Sequence, residues 1–475
     1  MILHTQSFLK VRLFASEKGI AVVVFAACIA LRIVPELIAY PHPIGYDVVN
    51  YYIPTVAHFN ENWNTVVNQF PLYVILLYLV GVISGLPTQS VVVGVAVLMA
   101  GIFGMSLFFV ARHLLKLGVT QSAFLAIFAI FQVAILRTMW DLHKDIFSLT
   151  TMLFALSLLA RKETTWKTFA GTIALATLTV AADRMIGILF CVTVAANAIM
   201  TRRKQVILTA IVSIGIFSAL ITGGYDFSNS STMSAQNSSN VYENKTPEFY
   251  TETNLLTLFA VVNGLIIVPA AIGLFIMKNR LLIKIPLILS LVGSFSWLAF
   301  PENSSLVADR WIVLTGIFLS IFAAYGILNL VKNLKPNLSA LVAGSVLASF
   351  AFIGLAYSVM AHDSPFILYG AVRANIEKFG PVTMQFNSLD IDDNNNLLLA
   401  IEWLNKNTEH DAIVVGEKHW RGFMDMNLED ERTYISSDDA RVLAHNLGAQ
   451  GKPAYLISAV GSLQTNFTIE HKAER

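Results

Sequence analysis

The residues best suited to chemistry sit in four short polar stretches between long apolar runs. The first reads PHPIGYDVVNYYIPTVAHFNENW and sets Asp47 among Tyr46, Tyr51 and Tyr52, with His42 and His58 nearby. A carboxylate in such company suits a general base that deprotonates a hydroxyl acceptor, and the aromatic rings suit stacking on sugars. The same residues also read as an aromatic interface belt with Asp47 capping a helix. The second stretch reads RTMWDLHKD. Asp141 and Asp145 share a face if it is helical, and His143 joins them on one side if it is extended. Two carboxylates and an imidazole can hold a divalent ion such as Mg or Mn. Arg137 and Lys144 can instead meet a phosphate, and a solvated turn with locally paired charges accounts for the same residues.

The third stretch is the pair Asp183–Arg184 between two short apolar runs. Charges at membrane depth are costly and face a cavity or each other, so Arg184 either pairs with Asp183 or clamps a phosphate. The fourth, PENSSLVADR, brings Glu302, Asp309 and Arg310 to the same outer side, with Asp309 and Arg310 just before Trp311 at the start of a helix. Asp309 there meets the helix dipole favourably, and Arg310 is a candidate phosphate ligand.

Apolar helices must position these stretches. Hydrophobic residues make up 55% of the 475 residues and charged residues 13%, with mean hydropathy +0.63. A soluble domain carries roughly 25% charged residues, so the composition excludes a soluble globular chain of this size. The net charge of +1 gives no argument for nucleic acid. Cys28 and Cys191 lie inside apolar runs and read as small core residues. The first run, Ile20 to Tyr40, reads as a retained spanning helix, since about 20 apolar residues cross a bilayer. Twelve apolar segments follow one another to residue 360.

Lys/Arg clusters at 10–18, 112–116, 161–167, 202–204, 278–284 and 332–335 mark cytoplasmic loops. The four stretches then face outward together, as does the tail from 361. Five of six Asn-x-Ser/Thr sequons (Asn229, Asn237, Asn244, Asn303 and Asn466) fall outside and Asn337 inside. One conflict stands: two apolar segments lie between the outer loop 41–70 and the inner Arg112, where the rule wants one crossing. Either 71–86 is short or re-entrant, or Arg112 breaks the rule. About 11 spans are expected. The Ser/Asn-rich stretch 223–252 reads as a flexible outer loop.

From about residue 381 the pattern changes. A helix over 396–407, strands at 412–415, 433–436 and 453–459 and a helix from Ser437 through Leu447 predict a small α/β unit. The expected fold class is an all-α polytopic membrane bundle of about 11–13 transmembrane helices (residues 1–360) with a small C-terminal α/β extracytoplasmic domain (361–475).

This layout resembles the GT-C superfamily of membrane glycosyltransferases, through GYDVVNYY in the first outer loop and DLHKD in a later one. The tail LLLAIEWLNKNTEHDAIVVGEKHWRGF is similar to the start of the outer domain of oligosaccharyltransferase catalytic subunits, but reads GEKHWRGF in place of a WWDYG motif. The resemblance implies inverting transfer of a sugar from a polyprenyl (dolichyl) phosphate or pyrophosphate carrier to a glycan, lipid or protein acceptor. It implies Asp47 as base and Asp141 and Asp145, with His143, as metal or acceptor ligands. His42, Tyr46, Tyr51, Arg184 and Arg310 are the candidate substrate-binding residues. His419, Trp420 and Arg421 stand in the place of WWDYG, and the Trp420 region is expected to close a site with the Asp47 loop. Absence of WWDYG puts transfer to protein in doubt. An integral plasma-membrane protein, preferably archaeal, with a cytoplasmic N-terminus is expected. A transporter or lipid-linked-sugar flippase and a non-catalytic scaffold are the alternatives.

Overall fold

The computed structural model describes residues 16–60, 63, 70, 72–161, 165–222, 251–278, 280–300, 307–359, 391–417, 420–429, 432–437, 440–460 and 466–471. The sequons at Asn229, Asn237, Asn244 and Asn303, with Glu302 and His419, lie outside them.

The first helix, α1 (Glu17–Ala39), starts where Ser16 Oγ accepts the Gly19 N–H at 3.0 Å, which satisfies one of the orphan donors of the first turn. A loop with a π-helical turn (Val48–Tyr52) and short α2 (Ile53–Ala57) leads to α3 (Leu72–Ser84). Then come α4 (Thr88–Phe109), prolonged by a second π turn to Leu114, α5 (Val119–Ile130), α6 (Val133–Asp141), α7 (His143–Leu159) and α8 (Trp166–Ala182). The bundle is completed by α9 (Arg184–Thr201), α10 (Lys204–Thr222), α11 (Glu252–Ile276), α12 (Leu281–Ser294), α13 (Ala308–Val331) and α14 (Pro336–Val359).

Among the described residues seven helices are long and apolar enough to cross a membrane, or eight if α5 and α6, bent by 67° at their junction, form one span. Their outward residues are apolar: Phe275 is 85% exposed and Ile199 76%. An apolar belt of this kind has hydrocarbon as its solvent. At the centre stands α13, the most enclosed of the spans. It packs tightly on α11, because Cβ atoms at Gly273 and Gly326 would collide with the carbonyls of Phe322 and Pro269. Small residues let helix backbones approach in a bilayer, where no hydrophobic force drives them together.

The two ends of the bundle differ in charge. At one, Arg112 pairs with Glu17 at 2.9 Å, Arg161 contacts His113 at 3.0 Å, and Arg203 donates to the carbonyls of Leu159 and Arg161. The opposite end carries the loop after α1. The conflict at 71–110 resolves there. With 13 residues α3 is about 20 Å long, short of the roughly 30 Å hydrocarbon core. Near its start the Tyr73 ring meets Tyr52, and just past its end Gln89 Nε2 donates to the Pro41 carbonyl at 2.6 Å. Both its termini therefore lie by the loop after α1, and α4 makes the crossing to Arg112.

The C-terminal unit runs α15 (Ile391–Asn407), β1 (Ile413–Gly416), α16 (Arg421–Asn427), β2 (Thr433–Ser436), α17 (Ala440–Ala449), β3 (Ala454–Val460) and β4 (Asn466–His471). The sheet order is β2-β1-β3-β4, with β1 parallel to both neighbours and β4 antiparallel to β3. Leu397, Ile401 and Leu404 of α15 pack on Val414, Tyr455 and Ile457. Arg432 closes the end of α15, donating to the carbonyls of Asn405 and Thr408 at 2.9 Å. The three expected strands are present; α16 and β4 are additions.

Candidate active site

The loop after α1 is fixed by its backbone. Gly45 has φ +104, in the left-handed region that favours glycine, and a Cβ there would strike the carbonyl oxygen of Trp140. The loop thus lies flat on the end of α6, where Trp140 is buried and stacked on Tyr357 of α14 at 5.1 Å. The π turn follows, a helical irregularity that often marks functional sites. It straddles two cores. Val48 and Tyr52 belong to that of the bundle, while Val49 belongs to that of the α/β unit with Trp420, Phe423 and Met424.

The peptide unit joining Tyr46 to Asp47 is held on both sides. Its N–H donates to Asp141 Oδ1, and its C=O accepts Asn50 Nδ2 at 3.1 Å. Asp141 in turn pairs with Arg137, Nη2 to Oδ2 being 2.6 Å, with both side chains buried. The backbone that sets the direction of the Asp47 side chain is therefore braced by the bundle and by its own loop.

Asp47, Lys144 and Arg310 are walled in by protein, yet each keeps partial solvent exposure. That combination describes groups lining a cleft. Arg310 acts most strongly on Asp47, then on Asp145, Asp309 and Asp183. Lys144 has its Nζ 5.9 Å from the Tyr51 ring centroid, within cation–π range, and its N–H donates to Tyr52 Oη at 3.1 Å. Burial first, and the Asp141 carboxylate second, push Asp47 up to about 6, against the opposing pull of Arg310, Lys144 and Arg137. A carboxylate so placed is poised to accept a proton near neutral pH.

The other sequence candidates divide. His42 is buried and its Nε2 contacts Asn395 Oδ1 of α15 at 2.8 Å, which makes it a tie to the C-terminal unit. Tyr46 and Tyr51 are half-buried beside Asp47. Trp420 is buried in the core shared with Val49, so its region does meet the Asp47 loop, by packing. Arg184 is half-buried at the start of α9. Its neighbour Asp183 is buried and reaches the cluster: it accepts the Ile186 N–H at 2.9 Å and hydrogen-bonds Asp145.

The proposed metal trio does not converge. Asp141 holds the Asp47 N–H and Arg137, His143 stacks on Tyr52 at 5.1 Å and donates through Nε2 to the Trp140 carbonyl, and Asp145 turns to Asp183. Leu142, in a non-helical conformation, separates α6 from α7 and sends the three side chains apart. Among the described residues no three His, Cys, Asp or Glu side chains gather as metal ligands. Sequence reasoning undervalued Lys144, Asp183 and Asn50. A charge closing an apolar run was the signal available for Asp183; Asn50 carried none.

No protein-family model matches the chain, and no curated protein matches its sequence. Solved structures do. ArnT from Cupriavidus metallidurans, bound to undecaprenyl phosphate, aligns over 93% of this chain and 92% of its own at TM-score 0.50 and 12% identity. The Archaeoglobus fulgidus oligosaccharyltransferase, solved with Zn and sulfate, aligns over 92% of this chain and 68% of its own at TM-score 0.53 and 11% identity. The fold is the GT-C fold. The apolar helices make an integral membrane protein. Asp47, Lys144 and Arg310 gather at the bundle end opposite Arg112 and Arg161.

Proposed function

We propose that this chain is a membrane glycosyltransferase that moves a sugar from a polyprenyl-phosphate carrier to a hydroxyl acceptor. The observation that carries the reading is one half-buried carboxylate enclosed with two cations at one end of a GT-C bundle. In the reaction Asp47 takes the acceptor's hydroxyl proton as that oxygen attacks the anomeric carbon. The bond from that carbon to the phosphate oxygen breaks, and the electron pair leaves with the phosphate. Arg310 and Lys144 face the charge that develops there, a form of stabilisation often worth several kcal/mol. Attack opposite the leaving group inverts the anomeric centre. The ArnT neighbour's undecaprenyl phosphate supports a polyprenyl carrier. A divalent ion has no fitted ligand set in Asp141, His143 and Asp145, and the cations Arg310 and Lys144 meet the phosphate in this scheme.

The basic end at Arg112, Arg161 and Arg203 supports a cytoplasmic placement of that end by the positive-inside rule. The active end and the unit from 361 are then extracytoplasmic. With α3 uncrossed, α5–α6 as one span and the shorter α7, α8 and α12 (prolonged by a turn to Leu298) crossing, the described helices make 11 crossings, an odd number that puts the start of α1 and the end of α14 on opposite sides.

Purified protein given a polyprenyl-phosphate sugar and hydroxyl acceptors tests the reading. Release of polyprenyl phosphate together with a glycosylated acceptor supports it. Movement of intact lipid-linked sugar across liposomes without a glycosidic product supports the flippase reading in its place.

A further inference from the structure

We propose that Asn50 is a positioning residue through which docking of the C-terminal α/β unit fixes the aim of Asp47. The inference rests on the base assignment above. The Asn50 side chain spans the boundary between two bodies. Its Oδ1 accepts the Gly422 N–H of α16 at 2.8 Å, and its Nδ2 donates to the Tyr46 carbonyl at 3.1 Å. The second bond grips the peptide unit whose N–H is held by Asp141. One amide thus joins the C-terminal unit to the backbone immediately before Asp47.

The dock leaves little freedom around that amide. A Cβ at Gly422 would run into the Val49 carbonyl, so α16 sits directly on the π turn. Val49 is 1% exposed and fills the core of the α/β unit beside Trp420 and Phe423, while its neighbour Val48 points into the bundle. His42 to Asn395 ties α15 to the same loop at 2.8 Å. Docking therefore fixes the π turn, and Asn50 passes that constraint to the Tyr46–Asp47 peptide. No charge of Asn50 enters the chemistry; it acts through Asp47.

Three variants of the full-length protein separate this role from a general packing role. Asn50→Ala removes both bonds. Asn50→Asp keeps an acceptor for the Gly422 N–H and loses the donor to Tyr46. Gly422→Ala forces α16 off Val49 and leaves Asn50 intact. All three are expected to lower kcat about tenfold to a hundredfold with donor KM little changed, the scale expected when a reacting group is misaimed by about 1 Å. In hydrogen exchange, the segment 46–52 is expected to lose its slow exchange in all three. Wild-type kcat in Asn50→Ala and Asn50→Asp, or undisturbed exchange over 46–52, overturns the proposal. If the wild-type protein transfers no sugar from any lipid-phosphate donor, the functional reading fails. The exchange arm still decides: loss of protection over 46–52 upholds the Asn50 link, and unchanged protection removes it.

Discussion

The backbone N–H of Asp47 donates to the carboxylate of Asp141, 94 residues further along the chain. Asp141 therefore positions the base, and its own charge is met by Arg137 at 2.6 Å. The contact has an electrostatic consequence as well, since a negative charge this close makes a second one harder to hold.

That consequence is measurable in the pH dependence of kcat/KM. Asp47 stands at about 6, raised by burial and then by Asp141, and lowered in part by Arg310, Lys144 and Arg137. A base must be unprotonated, so the rate rises with pH through about 6 and levels off above it. Asp141→Asn keeps an oxygen for the Asp47 N–H but removes the charge, and the rising limb moves to lower pH. Arg310→Gln removes an attractive charge, and the limb moves to higher pH. Limbs that move together, or not at all, contradict the assignment of Asp47 as the titrating group.

The two cations have a separate signature. If Arg310 and Lys144 face the leaving phosphate, Arg310→Gln and Lys144→Met each lower kcat by about 10² to 10³, the range found when one preorganised stabilising group is removed. Arg310→Lys recovers part of the loss, because the charge remains while the planar fork is lost. A change confined to acceptor KM places these side chains on the acceptor instead.

Much of this was legible in the sequence because charge is expensive in an apolar chain. Asp47, Arg310 and DLHKD stood out as polar residues bounding long apolar runs, and the structure gathers Asp47, Lys144, Asp145 and Arg310. Directions of side chains were not legible. Between Asp183 and Arg184 the longer cation looked the better ligand, yet the residue that caps α9 must point its oxygen at the helix N-terminus, and that end faces the cluster. The metal trio is parted for a local reason, the break at Leu142, which no spacing rule reveals. The short α3 was half legible: its length and the charge rule agreed that something in 71–110 does not cross. Long-range pairings such as Asn50 with Gly422, 372 positions apart, have no local trace at all.

A buried ion pair in α1 gives a prediction about stability alone. Arg32 and Glu36 lie 2.5 Å apart, 0% and 8% exposed, and Arg32 Nε donates to the Met139 carbonyl at 3.3 Å. Removing one partner strands a charge in a dry interior, which costs about 3–5 kcal/mol. Arg32→Met is therefore expected to lower Tm in detergent sharply. Arg32→Met combined with Glu36→Leu is expected to recover much of the loss. A double variant as unstable as the single one shows that the Met139 contact, not the stranded carboxylate, dominates.

The transfer rate of Asp47→Asn tests the assignment of Asp47 as the base most directly. The substitution is nearly isosteric and retains the backbone contact to Asp141. It also removes a charge that the fold holds unwillingly, so Tm at pH 7.5 is expected to be unchanged or slightly higher. With a polyprenyl-phosphate sugar and a hydroxyl acceptor, kcat is expected to fall by about 10² to 10⁴, the usual contribution of a general base, with donor binding retained. A folded Asp47→Asn protein that transfers sugar at the wild-type rate contradicts it.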